Sequence, residues 1–249
     1  MPENNQNAVA DPLLENRRDL AAAFRWAARL NWHEGIANHF SLAISDDGAK
    51  FLLNPYGRHF SQMRANDLLT LDAGQPEDGK RDNVDPTAWS IHGALHRQYA
   101  HARCILHVHS KFATVLATLQ NSTLPPIDQN TMRFFNRVSV DDGYDGMGLD
   151  KEAERLASAL GNFHTLILGN HGILIVGETV ARAFDTLYYF ERAAETVIAA
   201  YSTGKPLRVA SDEVAEKTAR QWENYPEFSE RHFTALRDIL DREEPDYLN

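Results

Sequence analysis

The chain of 249 residues holds a single cysteine, Cys104. An intrachain disulfide framework is therefore excluded, and a lone cysteine inside an apolar run reads as a small core residue in a reducing compartment. No apolar run is long enough to span a bilayer, and Met1 to Ala10 is polar, without the apolar centre of a signal peptide. Basic charge is short as well: 25 Lys and Arg stand against 35 Asp and Glu, a formal net charge of -10. Nucleic acid and anionic membrane surfaces both require a basic face, so neither is an expected partner. There is no repeat, no low-complexity tract and no composition shift that marks a second domain. What remains is an acidic chain, long enough to bury a full core and expected in the cytoplasm.

Histidine, by contrast, is placed with a pattern. Cys104-Ile105-Leu106-His107-Val108-His109-Ser110 reads as a buried strand in which His107 and His109, two residues apart, project from one face. Ile105 shares that face, so each imidazole stands where an apolar side chain is expected, and burial without a partner costs roughly 1–3 kcal/mol. A metal-ligand role removes the conflict. Two strand histidines satisfied by hydrogen bonds would also remove it, and spacing alone leaves both readings open. A metal bound for chemistry takes about three protein ligands and keeps a position open, and His171 in Asn170-His171-Gly172 is the best third ligand.

The rest of the chain alternates strands and helices. Asp11-Pro12 supplies a helix cap followed by proline at the first position, and apolar spacing from Leu13 to Ala28 carries a helix to about Asn31. Runs 38–44 and 51–54 flank Asp46-Asp47-Gly48 as a hairpin, 68–71 reads as a further strand, and 73–83 as a polar loop. Asp85-Pro86 starts a second capped helix to about Ala100. Ser110 is expected to cap a helix through Leu119, leaving backbone N–H groups beside the histidines where an anionic substrate group would be welcome. A short strand at 137–140 and an amphipathic helix over 149–160 follow. Strands 165–168 and 173–176 then flank a tight turn in which glycine can take positive φ. The longest helix runs over 178–202. Residues 1–10 are expected to be disordered, 11–206 to form the domain, and 207–249 to be a charged helical tail packed on it or on a neighbouring subunit. Hairpins mixed with helix crossovers imply an α/β layered domain with a mixed, largely antiparallel sheet.

Five motifs in order resemble the class II aldolase/adducin family: Gly35-Ile36-Ala37-Asn38-His39-Phe40-Ser41, Asn54-Pro55-Tyr56-Gly57, the helix Pro86 to His92, His107-Val108-His109-Ser110 and Asn170-His171-Gly172. The resemblance covers roughly residues 15–205, most of the chain. The resemblance implies an α/β/α sandwich in which His107, His109 and His171 hold one divalent metal, zinc above all, with iron, manganese or cobalt as alternatives. It also implies substrate contacts from Asn38, Ser41 and Gly57, and a homo-oligomer, with a tetramer favoured.

The departures from that family pattern are informative. Its sugar-phosphate aldolases carry an acid/base glutamate four residues before the helical histidine, and here Ala88 stands at that position. Proline replaces a phosphate-binding serine, and Tyr56 replaces a small hydroxyl residue beside the turn glycine. The substrate is therefore expected to be a small, unphosphorylated hydroxy-carbonyl compound or keto acid. No acid/base is assigned. His92 is the weak candidate, His39 and His59 are alternatives beside motif residues, and His96, one turn from His92, is read as a surface or packing histidine. Asp128-Gln129-Asn130 is either a polar cluster closing over the metal or a capped turn. Glu191 and Glu195 read as a solvated or interfacial face. Two functions stay open: a metal-dependent lyase, or an iron oxygenase on the same three histidines, against an adducin-like binding module of cytoskeletal type with a non-catalytic metal.

Overall fold

The computed structural model describes residues 12–146 and 152–249. The expected disorder at 1–10, the Asp11 cap and the first turn of the helix expected from 149 lie outside them. The alternating runs around Asp46-Asp47-Gly48 fold as the expected hairpin: β1 (His39–Ala43) pairs antiparallel with β2 (Lys50–Leu53), Ser41 opposite Leu53. Gly48 takes φ +69° at its turn, and a Cβ there would lie 2.1 Å from the His96 carbonyl oxygen. The hairpin tip is thus pressed on the helix behind it.

Five further strands, β3 (Leu69–Asp72), β4 (Cys104–Val108), β5 (Val138–Asp141), β6 (Thr165–Leu168) and β7 (Gly172–Gly177), complete a sheet of seven strands among the described residues. Its order is β3-β2-β1-β4-β7-β6-β5, and every pairing is antiparallel except β5 with β6. The sheet is mixed and largely antiparallel, as the hairpins and crossovers imply. β4 lies at its centre and is buried along its whole length, which is why its sequence is apolar on both faces apart from the histidines.

Among the described residues, eight α-helices cover the two faces: α1 (Pro12–Arg29), α2 (Pro86–Gln98), α3 (Lys111–Ala117), α4 (Gln129–Arg133), α5 (Glu152–Leu160), α6 (Val180–Ser202), α7 (Asp212–Glu223) and α8 (Glu227–Glu243). On one face Phe40, Leu106, Val108, Ile173 and Ile175 pack with Phe24 of α1 and Phe184, Leu187 and Phe190 of α6. On the other, Ile105, Leu166, Leu168, Leu174 and Val176 meet Ile91 and Leu95 of α2 and Leu156 and Leu160 of α5. The result is an α/β/α sandwich. Its α2–α5 face is the one on which His107 shares a row with Ile105.

Asp85 starts α2 by accepting hydrogen bonds from the Thr87 and Ala88 N–H groups at 2.8 and 3.1 Å. After α6, the helices α7 and α8 return along the outside, and Phe233 and Leu240 of α8 join the larger core. Arg25, buried in α1, binds the Met63 carbonyl at 2.8 Å and the carboxylates of Glu244 and Asp246 at 3.0 and 2.7 Å. Tyr247 is fully buried beside that cluster. No helix among the described residues is long and apolar enough to cross a membrane.

Candidate active site

His107 lies near the C-terminal end of β4, only 4% exposed. Its Nδ1–H donates to the Ile173 carbonyl of β7 at 3.0 Å, so Nε2 carries the lone pair. His109, just past the strand, donates its Nδ1–H to the Glu34 carboxylate at 2.5 Å, and its Nε2 likewise points inward. The two Nε2 atoms are 3.1 Å apart. A hydrogen bond across that gap needs one ring protonated on both nitrogens, and burial together with the neighbouring imidazoles holds His107 well below the ordinary histidine range.

The third imidazole comes from the bend between β6 and β7. The Gly169 N–H binds the Asp141 carbonyl at 2.8 Å and the Asn170 N–H binds the Ala117 carbonyl at 3.0 Å, clamping the bend between β5 and α3. Positive φ falls on Asn170, at +58°, and on neither flanking glycine. Asparagine tolerates that conformation well. Gly172 serves a different need, because a Cβ there would lie 2.7 Å from the Val108 carbonyl oxygen and 2.9 Å from His109 Cδ2. The bend thereby delivers His171 so that ring nitrogens of His107, His109 and His171 lie within 4.8 Å of one another. Burial and His109 lower the His171 pKa to about 4, which keeps its nitrogen available as a donor. Three imidazoles converging in this way suit a divalent zinc, iron, manganese or cobalt ion. Nitrogens about 2.0–2.1 Å from a tetrahedral zinc stand about 3.3 Å apart, close to the His107–His109 spacing.

The three rings open on a cavity of about 520 Å³, also lined by Ile36, His39, Tyr56, Asp85, Ile91, Tyr144, Glu152, Leu156 and Leu174. Among the described residues no lysine or arginine lines it. Glu152 is buried and held by Arg155 at 3.1 Å, and desolvation raises its pKa. Glu34, Asp85, Tyr144 and Glu152 escape a motif-based reading, since nothing about their local spacing distinguishes them from surface or capping residues.

The substrate contacts expected of Asn38, Ser41 and Gly57 are placed differently from one another. Asn38 is buried, and its Oδ1 accepts the Glu34 N–H at 2.6 Å, which orders the residue that orients His109. Its Nδ2 is buried without a partner among the described residues. Ser41 is fully buried under α2, its hydroxyl engaged by His92 and His96, and does not line the cavity. Gly57 adopts φ +82° in a turn with open space where a Cβ would be, and its neighbour Tyr56 reaches the cavity instead. His92 is fully buried and also stops short of the cavity, whereas His39, bonded to it at 2.7 Å, reaches it. His96 is buried as well, which selects the packing alternative over the surface one. His59 pairs with His33 at 2.7 Å, away from the cavity lining. Ala88 packs among Phe51, Leu53, Leu71 and Val84. Asp128 caps α4 in a reciprocal pair with Thr131, so the capped-turn alternative describes it.

The anion site expected at the start of α3 is filled from within. Glu191 of α6, 5% exposed, accepts from the Phe112 and Ala113 N–H groups at 2.8 and 2.9 Å and from the Ser110 hydroxyl at 2.7 Å. It is a buried cap, not part of a solvated face, and it occupies the N–H groups that a substrate anion would need.

Fold and site together define an α/β/α protein with three convergent histidines at the end of a central strand. The family model described as Class II Aldolase and Adducin N-terminal domain matches residues 18–198, most of the chain. The chain belongs to the class II aldolase and adducin family. A crystal structure of an aldolase II superfamily protein from Pseudomonas syringae is similar, with a TM-score of 0.87 and 32% identity over 97% of this chain and 98% of that one. Decarboxylase NovR of Streptomyces niveus is 30% identical over 87% of this chain and 82% of its own length. An adducin-related protein of Schizosaccharomyces pombe is 30% identical over 91% of this chain and 71% of its own.

Proposed function

We propose that the chain is a metal-dependent lyase, of the retro-aldol or decarboxylase type, acting on a small unphosphorylated hydroxy-carbonyl or keto-acid substrate. The observation that carries this reading is the His107–His109 pair, whose Nε2 atoms face each other at 3.1 Å while both Nδ1–H groups are committed to Ile173 and Glu34. That arrangement turns both Nε2 atoms toward one point, which a shared cation can occupy. His107, His109 and His171 are the ligands in this proposal, and zinc is the expected metal.

When bound, such a metal supplies Lewis-acid stabilisation of the negative charge that builds on substrate oxygen as a carbon–carbon bond breaks. The protein's part is orientation and exclusion. Ile173 and Glu34 hold two imidazoles in one tautomer, and the bend at Asn170 sets the third. Three protein ligands leave coordination open on the cavity side, which a closed structural site would not.

Substrate class follows from the lining. With Asp85 and Glu152 present and no lysine or arginine among the described lining residues, the cavity wall favours an unphosphorylated substrate. Ile36, Ile91, Leu156, Leu174, Tyr56 and Tyr144 favour an apolar or aromatic arm on the substrate. The kinship with a decarboxylase supports the same reaction class. The working form is proposed to be a cytoplasmic homo-oligomer, a tetramer by family resemblance. The adducin-like binding module remains the second reading, favoured by one feature: Ala88, at the family's glutamate position, is sealed in an apolar cluster.

Elemental analysis of the purified chain and of His109→Ala tests the centre. About one metal ion per chain, lost in the variant, is expected; metal content unchanged by the substitution would remove the proposal. Turnover of unphosphorylated hydroxy-keto acids that stops with chelator would support the lyase, and inactivity on every compound with and without chelator would favour the module.

A further inference from the structure

Behind the cavity runs a chain of buried hydrogen bonds whose direction is set from one end. The Ala102 carbonyl can only accept, so His96 Nδ1, 2.6 Å away, carries a hydrogen. His96 is buried, and desolvation drives its pKa down to about 4, so the ring is neutral and its Nε2 is an acceptor. The Ser41 hydroxyl, 2.7 Å from that Nε2, therefore spends its one hydrogen there. Its oxygen is left to accept, and the contact with His92 Nδ1 requires that nitrogen to donate. His92 is fully buried and neutral for the same reason, so its Nε2 accepts in turn. The partner of that Nε2, 2.7 Å away, is His39 Nδ1, which must carry the hydrogen.

His39 itself lines the cavity with the three candidate ligands. It stands opposite His107 in the β1–β4 register, and the two ring centroids are 4.9 Å apart. With Nδ1 bound to His92, the nitrogen left to meet a ligand is Nε2. We propose that His39 is the polar acceptor of this site: it presents a bare Nε2 to a hydroxyl of the substrate because His92, Ser41 and His96 hold its ring in the Nδ1–H form. His39 touches the substrate in this assignment, and the other three are positioning residues. An isolated imidazole prefers the opposite tautomer, with hydrogen on Nε2, which would turn the same position into a donor. The chain of four residues thus decides whether the cavity selects a hydroxyl or a second acceptor such as a carbonyl.

This assignment deepens the proposed function and rests on it for the occupant of the cavity, but the tautomer can be read without substrate or turnover. The protein is labelled with ¹⁵N-histidine, and long-range proton–nitrogen correlations distinguish Nδ1–H from Nε2–H rings, before and after chelation, with the His39 signal assigned by its loss in His39→Gln. Nδ1–H forms of His39, His92 and His96 are expected in the native chain. Ser41→Ala removes the acceptor for His92 Nδ1–H, and His39 is then expected to cross to the Nε2–H form. Ser41→Thr keeps the hydroxyl and is expected to keep the native tautomer. An Nε2–H ring at His39 in the native protein overturns the proposal, as does an unchanged His39 in folded Ser41→Ala. Loss of the metal proposal would appear separately, in the elemental analysis, with the tautomers unaffected.

Discussion

Single side chains do the fine work at this site. Glu34 is mostly exposed, yet its carboxylate fixes which nitrogen of His109 faces inward, and Asn38 holds the Glu34 backbone in place. Carboxylates that orient a ligating histidine typically contribute about 10–100-fold to metal affinity. Glu34→Gln is therefore expected to weaken zinc binding by roughly that factor while leaving folding nearly unchanged. Competition against a fluorescent chelator reads the effect, and an affinity equal to that of the native chain would remove Glu34 from the site. The histidines were legible at this scale because period two in a strand sends His107 and His109 to one face. Glu34 was not, since a carboxylate in a loop after a helix has no periodicity to betray its contact 75 residues onward.

At the scale of elements, turns and caps decide what each segment can offer. The bend before β7 puts its positive φ on Asn170, which releases Gly172 for the close approach to Val108 and His109. In Gly172→Ala the new methyl would press on a backbone carbonyl that cannot yield without shifting β4. A cost of roughly 1–3 kcal/mol is expected, seen as a lower urea midpoint, together with weaker metal retention because His109 is displaced. Native stability with native metal content in that variant would show that the strand ends can part freely. The start of α3 teaches a different lesson. Ser110 marks the helix boundary correctly, but its side chain donates to Glu191 and caps nothing itself. A cap that arrives from another helix 81 residues away leaves no local signature.

Across the whole molecule, the sheet order sets β1 beside β4 and lays α2 over both, which gathers His39, Ser41, His92, His96 and His107 into one buried layer. That layer makes stability depend on pH. Desolvation lowers the pKa of His96 from 6.5 to about 4 and that of His92 well below 6.5. Between those values the unfolded chain binds protons that the folded chain refuses, so stability is full above about pH 6.5 and is lost as pH falls toward 4. His96 alone accounts for about 2 kcal/mol between pH 7 and pH 5. Urea unfolding of the chelated protein at those two pH values is expected to show a loss of at least this size. A flat profile would mean that these rings are charged in the native state.

The amino-acid sequence determined by itself whatever depends on neighbours along the chain: the alternation of β1 and β2, the Asp85 cap of α2, the paired histidines of β4 and the tight bend that carries His171. Periodicity and turn chemistry are local, so they can be read locally. Only the tertiary structure decided that Glu191 fills the anion site, that Ser41 serves two histidines and lies beneath the cavity, and that His39 stands at its edge while His92 stays behind it. Those outcomes depend on which strands become neighbours and which helix covers them, and burial then forces each polar group to find its partner across the fold.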